Sequence, residues 1–468
     1  MKRFFTLLFL FACITSNARK FYVSTTGNDT NPGTITQPFR TWDKLSLVLI
    51  AGDTAYIRGG TYRINKSVGT GERIVWNGLN GTVTDSIYIL NYPGESPIAN
   101  FDDLLITAGF TAGLAVTNCS YIHVEGLRIT GLAQNPSGNT VVGLNCTNVD
   151  HSTFKRIEVD HMGGYGWYFL SGSTNNYVIN CDVHHVDDRY TGWGNANGFN
   201  ITGGDNSTNI TFEGCRAWWC SDDGWDFFGV NAVVFFKNCW AFWNGYEPGT
   251  FIQRGDGAGF KLGPAASDQS NNVLRTLENC LAFENYLAGY DQNSGQMKYT
   301  LYNNTSFGNG FYGFNFPYHQ SIVHTFKNNT TYNDPTGALG NNIFTGPNTS
   351  NNSWNSPVTV TSADFISTNS AGADGPRQPD GSLPNLNFLK LATGSDLIDA
   401  GTNVGMPYNG NAPDLGAFET GGTTPPPNQS PTANAGPDQT ITLPVNTVTV
   451  NGSGTDPDGT ITAYLWTK

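Results

Sequence analysis

Charged side chains are scarce in this chain, at 13%, and the shortage falls on the basic side, with 24 Lys and Arg against 37 Asp and Glu. A nucleic-acid binder draws much of its affinity from Lys and Arg set against phosphates, so a formal net charge of −13 argues against that class. It argues equally against bare electrostatic capture of a polyanion. An acidic protein that handles an acidic polymer needs a cation between the two. Long apolar runs are missing beyond the N-terminus, so no later segment is suited to span a bilayer. The one run present, Phe4 to Ile14, follows Met1-Lys2-Arg3 and precedes Thr15-Ser16-Asn17-Ala18. That order of basic, apolar and small residues reads as an export signal over residues 1–18, leaving a secreted mature chain from about Arg19. In an alternative reading, Leu10-Phe11-Ala12-Cys13 marks lipoprotein processing and Cys13 carries a lipid.

Cysteine is also sparse. Of eight, Cys13 falls in the signal and an odd seven remain, which does not suit a disulfide framework. Glycine is abundant at 56 residues and aromatics reach 13%, a composition for β-structure with tight turns. Aligning Gly126, Arg156, Asn180, Gly214, Asn238, Asn279, Asn303 and Asn328 gives spacings of 30, 24, 34, 24, 41, 24 and 25 residues. A basal period near 24 with insertions predicts stacked β-coils, an all-β right-handed parallel solenoid spanning 19–420. One residue after these anchors stand Cys181, Cys215, Cys239 and Cys280, and two further on Val183, Ala217, Ala241 and Ala282. Both sets are small and apolar, so they are expected to form interior ladders in which cysteine acts as a compact hydrophobe.

Phe39, Trp42, Leu45, Val48 and Leu49 recur at helical spacing before Gly52, and predict a helix that plugs the first coil. The segments Phe21–Asp29 and Gly59–Tyr62 resemble the opening of many secreted β-helix proteins, and Leu397–Gly401 and Ala412–Glu419 resemble their closing segment. Residues 421–430 read as a stiff proline-rich linker. Asn434-Ala435-Gly436-Pro437-Asp438 and Gly452 to Gly459 resemble the start of a polycystic-kidney-disease-type (PKD-type) Ig-like module. Residues 431–468 are too few for a sandwich of about 100, so the module is expected to be partial.

A second repeat points to chemistry: Gly166-Trp167-Tyr168, Gly198-Phe199-Asn200, Gly224-Trp225-Asp226, Gly259-Phe260-Lys261, Gly289-Tyr290-Asp291 and Gly313-Phe314-Asn315. Alternation turns each aromatic inward and the following residue outward, so Asn200, Asp226, Lys261, Asp291 and Asn315 form a row if the strands stack in register. Ser221-Asp222-Asp223-Gly224-Trp225-Asp226 packs three carboxylates into five residues, and Asn197 adds an amide oxygen one coil earlier. Parity sends Asp222 and Asp226 outward, and Asp223 joins them only from the bend before the strand. Like charges this close are relieved by a bound cation or by raised pKa values, and calcium, with its six to eight oxygen ligands, suits the set. His184 and His185, as strand neighbours, are expected to face opposite ways, which argues against a zinc or iron site. Arg254 either clamps a ligand carboxylate or pairs with Asp256, and Asp291 and Asn293 are candidate ligand contacts together with Asn200.

Ser221 to Asp226 followed by Gly259-Phe260-Lys261-Leu262-Gly263 resembles family-nine polysaccharide lyases, mainly pectate lyases. The resemblance implies a calcium ion held by aspartates at Asp222, Asp223 and Asp226, and a lysine base at Lys261. The family's fourth aspartate falls at Asn197, which keeps an oxygen but drops a charge. It further implies β-elimination on an acidic, pectate-like polysaccharide, by a chain taken as a monomer. Two other readings stay open: a β-helix glycoside hydrolase using the aspartates as paired carboxylates, and a non-catalytic glycan-binding or adhesion module.

Overall fold

Three parallel sheets of twelve, ten and nine strands make up the computed structural model. It describes residues 18–455 apart from 65–70, 105, 107–108, 202–206, 229, 231, 264–273, 294–296, 318–323, 336–347, 422–431 and 445. From Thr54 to Asn315 each circuit of the chain contributes one strand to each sheet. Thr153–Lys155, Glu158–Met162 and Tyr165–Leu170 make one coil, and Tyr177–Ile179, Asp182–Val186 and Phe199–Ile201 the next. Within these three sheets each strand pairs in parallel with its neighbour, so the fold is the expected right-handed parallel β-helix. The export signal and the linker lie outside the described residues, apart from Ala18 and Gly421.

The repeat anchors are the corner residues between the twelve- and ten-stranded sheets. All eight adopt left-handed backbone, from φ 52° at Arg156 and Asn238 to 75° at Gly126. Asn and Gly tolerate that conformation best, which is why they recur there. Behind the corner, Cys181, Cys215, Cys239 and Cys280 are buried and unpaired, as are the other three described cysteines. Val183, Ala217, Ala241 and Ala282 follow in register one above another. The cysteines therefore fill space and form no disulfides.

At the N-terminal end the expected helix is a single six-residue 3-10 segment, Trp42–Leu47. Its three-residue turn aligns Trp42 with Leu45, and both are buried. Trp42 stacks at 6.3 Å on Trp76, whose indole N–H donates to the Trp42 carbonyl at 2.9 Å. Phe39 instead enters beside Val23 through an isolated parallel bridge, so apolar spacing from 39 to 49 overstated the helix.

Beyond the last coils, Phe365, Phe388, Leu391, Leu397 and Leu415 cover the outside of the ten-stranded sheet against Trp218, Phe242 and Phe283. One polar tie anchors this segment. Asp182 is gripped by Arg216 at 2.8 Å and by Arg377 at 2.7 Å. Burial alone would raise the Asp182 carboxyl, but the two guanidinium groups outweigh it and hold it below the usual range. A depressed carboxylate contributes stability above its unfolded pKa of about 3.9, and that contribution fades as pH falls through the folded value. Asp182→Asn is expected to cost about 3–5 kcal/mol, read as a lower urea midpoint at pH 7. The variant should also lose part of the wild type's acid sensitivity below about pH 4.

Near the C-terminus, Thr432–Asn434 and Ser453–Thr455 pair antiparallel. Among the described residues no helix is long and apolar enough to cross a membrane.

Candidate active site

The six Gly-aromatic-X strands stack in one register on the nine-stranded sheet. Trp167, Phe199, Trp225, Phe260, Tyr290 and Phe314 point inward, with successive ring centroids 5.8, 5.0, 4.7, 5.2 and 4.7 Å apart. Each offset stack adds about 0.5–1.5 kcal/mol beyond burial, which locks the register. The preceding glycines are required by crowding: a Cβ at Gly224 would stand 2.6 Å from the Gly259 carbonyl oxygen. Trp225 and Phe260 are fully buried and belong to the core, not to a sugar platform.

The outer row follows. Asp226 lies opposite Lys261, with Asn200 on one side and Asp291 and Asn315 on the other. Register extends the row to Tyr168, whose ring lies 4.3 Å from Tyr165. Asp222 and Asp223 sit in the bend before the Trp225–Asp226 strand, and the bend turns Asp223 into the site. Its carboxylate accepts from Lys261 Nζ at 2.9 Å and from the Ala258 N–H at 2.7 Å. The second acid on Lys261 is Asp256, at 3.3 Å. Asp226, on the adjacent rung, is coupled to Lys261 by charge, while the direct ion pairs of Lys261 are with Asp223 and Asp256. Asp226 accepts instead from the Asn197 amide at 3.0 Å and the Phe228 N–H at 2.8 Å.

Carboxylates outnumber the single ammonium. Burial, with repulsion from Asp223, pushes Asp222 well above the ordinary range, and burial likewise raises Asp223 to about 7 and also raises Asp226. Burial alone would lower Lys261, but the charges of Asp223, Asp226 and Asp222 prevail and hold it as an ammonium. Asp291 is raised to about 6, mainly by burial. Among the described residues the buried oxygens of Asn200 (Oδ1) and Ser221 (Oγ) have no hydrogen-bond partner. Excess carboxylate charge with orphan oxygen acceptors suits a hard divalent cation, and the three aspartates would have to draw closer around one, since their oxygens do not all lie within 4.8 Å of one another. Asn197 fits such a site less directly than expected, because its Oδ1 already accepts from the Asp223 N–H at 3.0 Å.

Arg254 pairs with Glu247, not with Asp256, and stacks on Trp193 at 4.5 Å. Asn293, in left-handed backbone, donates its N–H to Asp291 at 2.9 Å, and its buried amide nitrogen has no partner among the described residues. The two histidines do not face opposite ways. His185 has φ 53°, which breaks the alternation and brings its Nδ1 within 2.8 Å of His184 Nδ1. Among the described residues, Glu158, Asp160 and His184 are the group of acids and histidines whose ligand atoms all lie within 4.8 Å of one another, and the Arg128 guanidinium already lies 2.7 Å from Asp160. Asp256 was legible only as a partner for Arg254, since nothing local in sequence shows that its loop folds back over Lys261.

Comparison with known proteins bears on the fold and the family. Residues 21–333 match the model of the Pel9A-like right-handed β-helix region, and residues 435–468 match that of a PKD domain. The chain is 31% identical over 412 residues to pectate lyase L of Dickeya chrysanthemi, covering 86% of this chain and 91% of that one. Pectate lyase PEL9 of Emericella nidulans is 27% identical over 401 residues, covering 81% of this chain and 94% of that one. The crystal structure of pectate lyase Pel9A superposes with a TM-score of 0.73 at 30% identity, over 86% of this chain and 97% of that one. A rhamnogalacturonan lyase follows at 0.67 and 28%, over 80% and 97%. With the family matched across the coils that carry Asp222, Asp223, Asp226 and Lys261, the chain belongs to the Pel9A-like right-handed β-helix family and is a polysaccharide lyase.

Proposed function

We propose that this lyase cleaves a pectate-type uronan by calcium-assisted β-elimination, with Lys261 as the base, after export from the cell. The observation that carries the reading is the Lys261 ammonium held 2.9 Å from Asp223, on the rung beside Asp226, in a pocket where acids exceed cations. The pectate lyases among its relatives support the substrate class, and the basic and apolar opening of the chain supports export.

Asp222, Asp223 and Asp226 would hold the calcium, with Asn197 or the orphan oxygen of Asn200 as a neutral ligand. Bound calcium supplies positive charge that offsets the acids around Lys261 and draws electrons from the uronate carboxylate, making the C5 proton more acidic. Lys261 removes that proton, the C5–H electrons form the C4–C5 double bond, and the C4–O bond breaks toward the leaving sugar. No water enters the bond-breaking step. Asp291 and Asn200 lie on the same face and, with Asn293 beside Asp291, are assigned to contacts with neighbouring sugars. Arg254, held by Glu247 through one guanidinium nitrogen, is assigned to the same role.

The direct test is incubation with polygalacturonate, with and without a calcium chelator, following ultraviolet absorbance of unsaturated ends. Chelator-sensitive absorbance is expected. New reducing ends without absorbance would instead indicate hydrolysis and overturn the elimination, and chelator-insensitive absorbance would remove the calcium.

A further inference from the structure

The interior of the β-helix is apolar, yet one guanidinium lies inside it. Arg275, in the strand Leu274–Glu278 of the twelve-stranded sheet, is fully buried. Its neighbours in register on that row are Val234 and Tyr299. Among the described residues no carboxylate pairs with it; burying such a cation is costly, and an aliphatic side chain such as that of Val234 fills this row one coil earlier. Burial lowers the group to about 10, so it remains charged at neutral pH.

What the cation does is local. Arg275 Nε donates to the Leu262 carbonyl at 3.1 Å, and Nη2 donates to the Val230 carbonyl at 2.9 Å. Its guanidinium carbon stands 5.3 Å from the Phe227 ring centroid. Leu262 follows Lys261 directly, and Val230 lies four residues after Asp226. The two strand ends are also joined by the Phe227 N–H, which donates to the Lys261 carbonyl at 3.1 Å. One side chain therefore ties, from inside the coil, the two connectors that leave the strands of the base and of its acid neighbour.

We propose that Arg275 is a positioning residue for catalysis, fixing where Lys261 and Asp226 stand relative to each other. The inference rests on the reading of Lys261 as base. A small misplacement of a reacting group is enough to slow chemistry by orders of magnitude, whereas substrate held by the rest of the cleft stays bound.

The test compares Arg275→Met, Arg275→Lys and Val234→Ala, the last removing interior packing on the same row without touching either carbonyl. Initial rates on polygalacturonate at saturating calcium are measured alongside urea midpoints, at a temperature where each variant is folded. Arg275→Met is expected to lose about 10–100-fold in kcat with KM within about threefold. Val234→Ala should keep its kcat, and Arg275→Lys should recover part of the loss, since an ammonium reaches one carbonyl but not both. Equal kcat in Arg275→Met and Val234→Ala would overturn the proposal. If Arg275→Met does not fold, Arg275→Lys decides: a kcat loss of about fivefold or more at unchanged KM supports it, and wild-type kcat overturns it. Lys261→Ala in the same series separates the two claims. Retained turnover there removes the base assignment, whereas loss of turnover there with wild-type kcat in Arg275→Met removes only the role of Arg275.

Discussion

Lys261→Ala is expected to reduce the formation of unsaturated product by about 10²–10⁴-fold, the range that a positioned general base contributes. The side chain stands on the outer face of the nine-stranded sheet and is 13% exposed, so its removal leaves the aromatic stack beneath intact. It does leave Asp223 without its cation, and that acid, already raised to about 7, can relieve the strain by taking up a proton. Lys261→Arg separates base from ion pair. A guanidinium retains the charge beside Asp223 and Asp256 but does not deprotonate in this pH range, so folding should stay near wild type while turnover falls almost as far as in the alanine variant. Arginine activity close to wild type would show that the position needs only a positive charge, and would sink the base assignment.

Asp223→Asn is the second large effect, expected at about 10²-fold in kcat/KM at a fixed low calcium concentration, with part regained as calcium is raised. An amide oxygen can still accept the Ala258 N–H, so the bend before the strand should survive. What disappears is one negative charge from a buried group of three, and calcium affinity falls with the count of charged ligands. Titrating initial rates with calcium checks this. A midpoint equal to that of the wild type would remove Asp223 from the ligand set and leave it as the partner of Lys261 alone.

Much of this arrangement was legible along the chain because a coiled fold writes its geometry as a period. The corner positions demand left-handed backbone, so Asn and Gly recur at Asn180, Gly214, Asn238, Asn279 and Asn303. The interior demands flat stacked rings beside bare backbone, so Gly-aromatic pairs recur, and the residue after each pair must face out. That logic placed Asn200, Asp226, Lys261, Asp291 and Asn315 in one row, and the register agrees rung by rung.

The failures share one cause. Alternation holds only inside a strand, and the chemistry sits where strands bend. His185 escaped its predicted face because a single left-handed residue resets the parity. Ahead of the Trp225–Asp226 strand, where alternation does not apply, Asp223 reaches Lys261, a contact that no parity rule assigned. Arg254 and Asp256 lie on a long insertion, and nothing in their spacing shows that one turns to Glu247 and the other to Lys261. Likewise, the apolar period from Phe39 to Leu49 marked buried positions but not which backbone would present them.

The order of residues by itself determined the solenoid, its interior ladders and the identity of the outward row, because steric rules that repeat every coil leave a repeating trace. Only the tertiary structure decided which acid holds Lys261, where Arg254 points and that Arg275 braces the strand ends from within. Those contacts join segments tens of residues apart through loops and bends, where no local rule relates a side chain's direction to its place in the sequence.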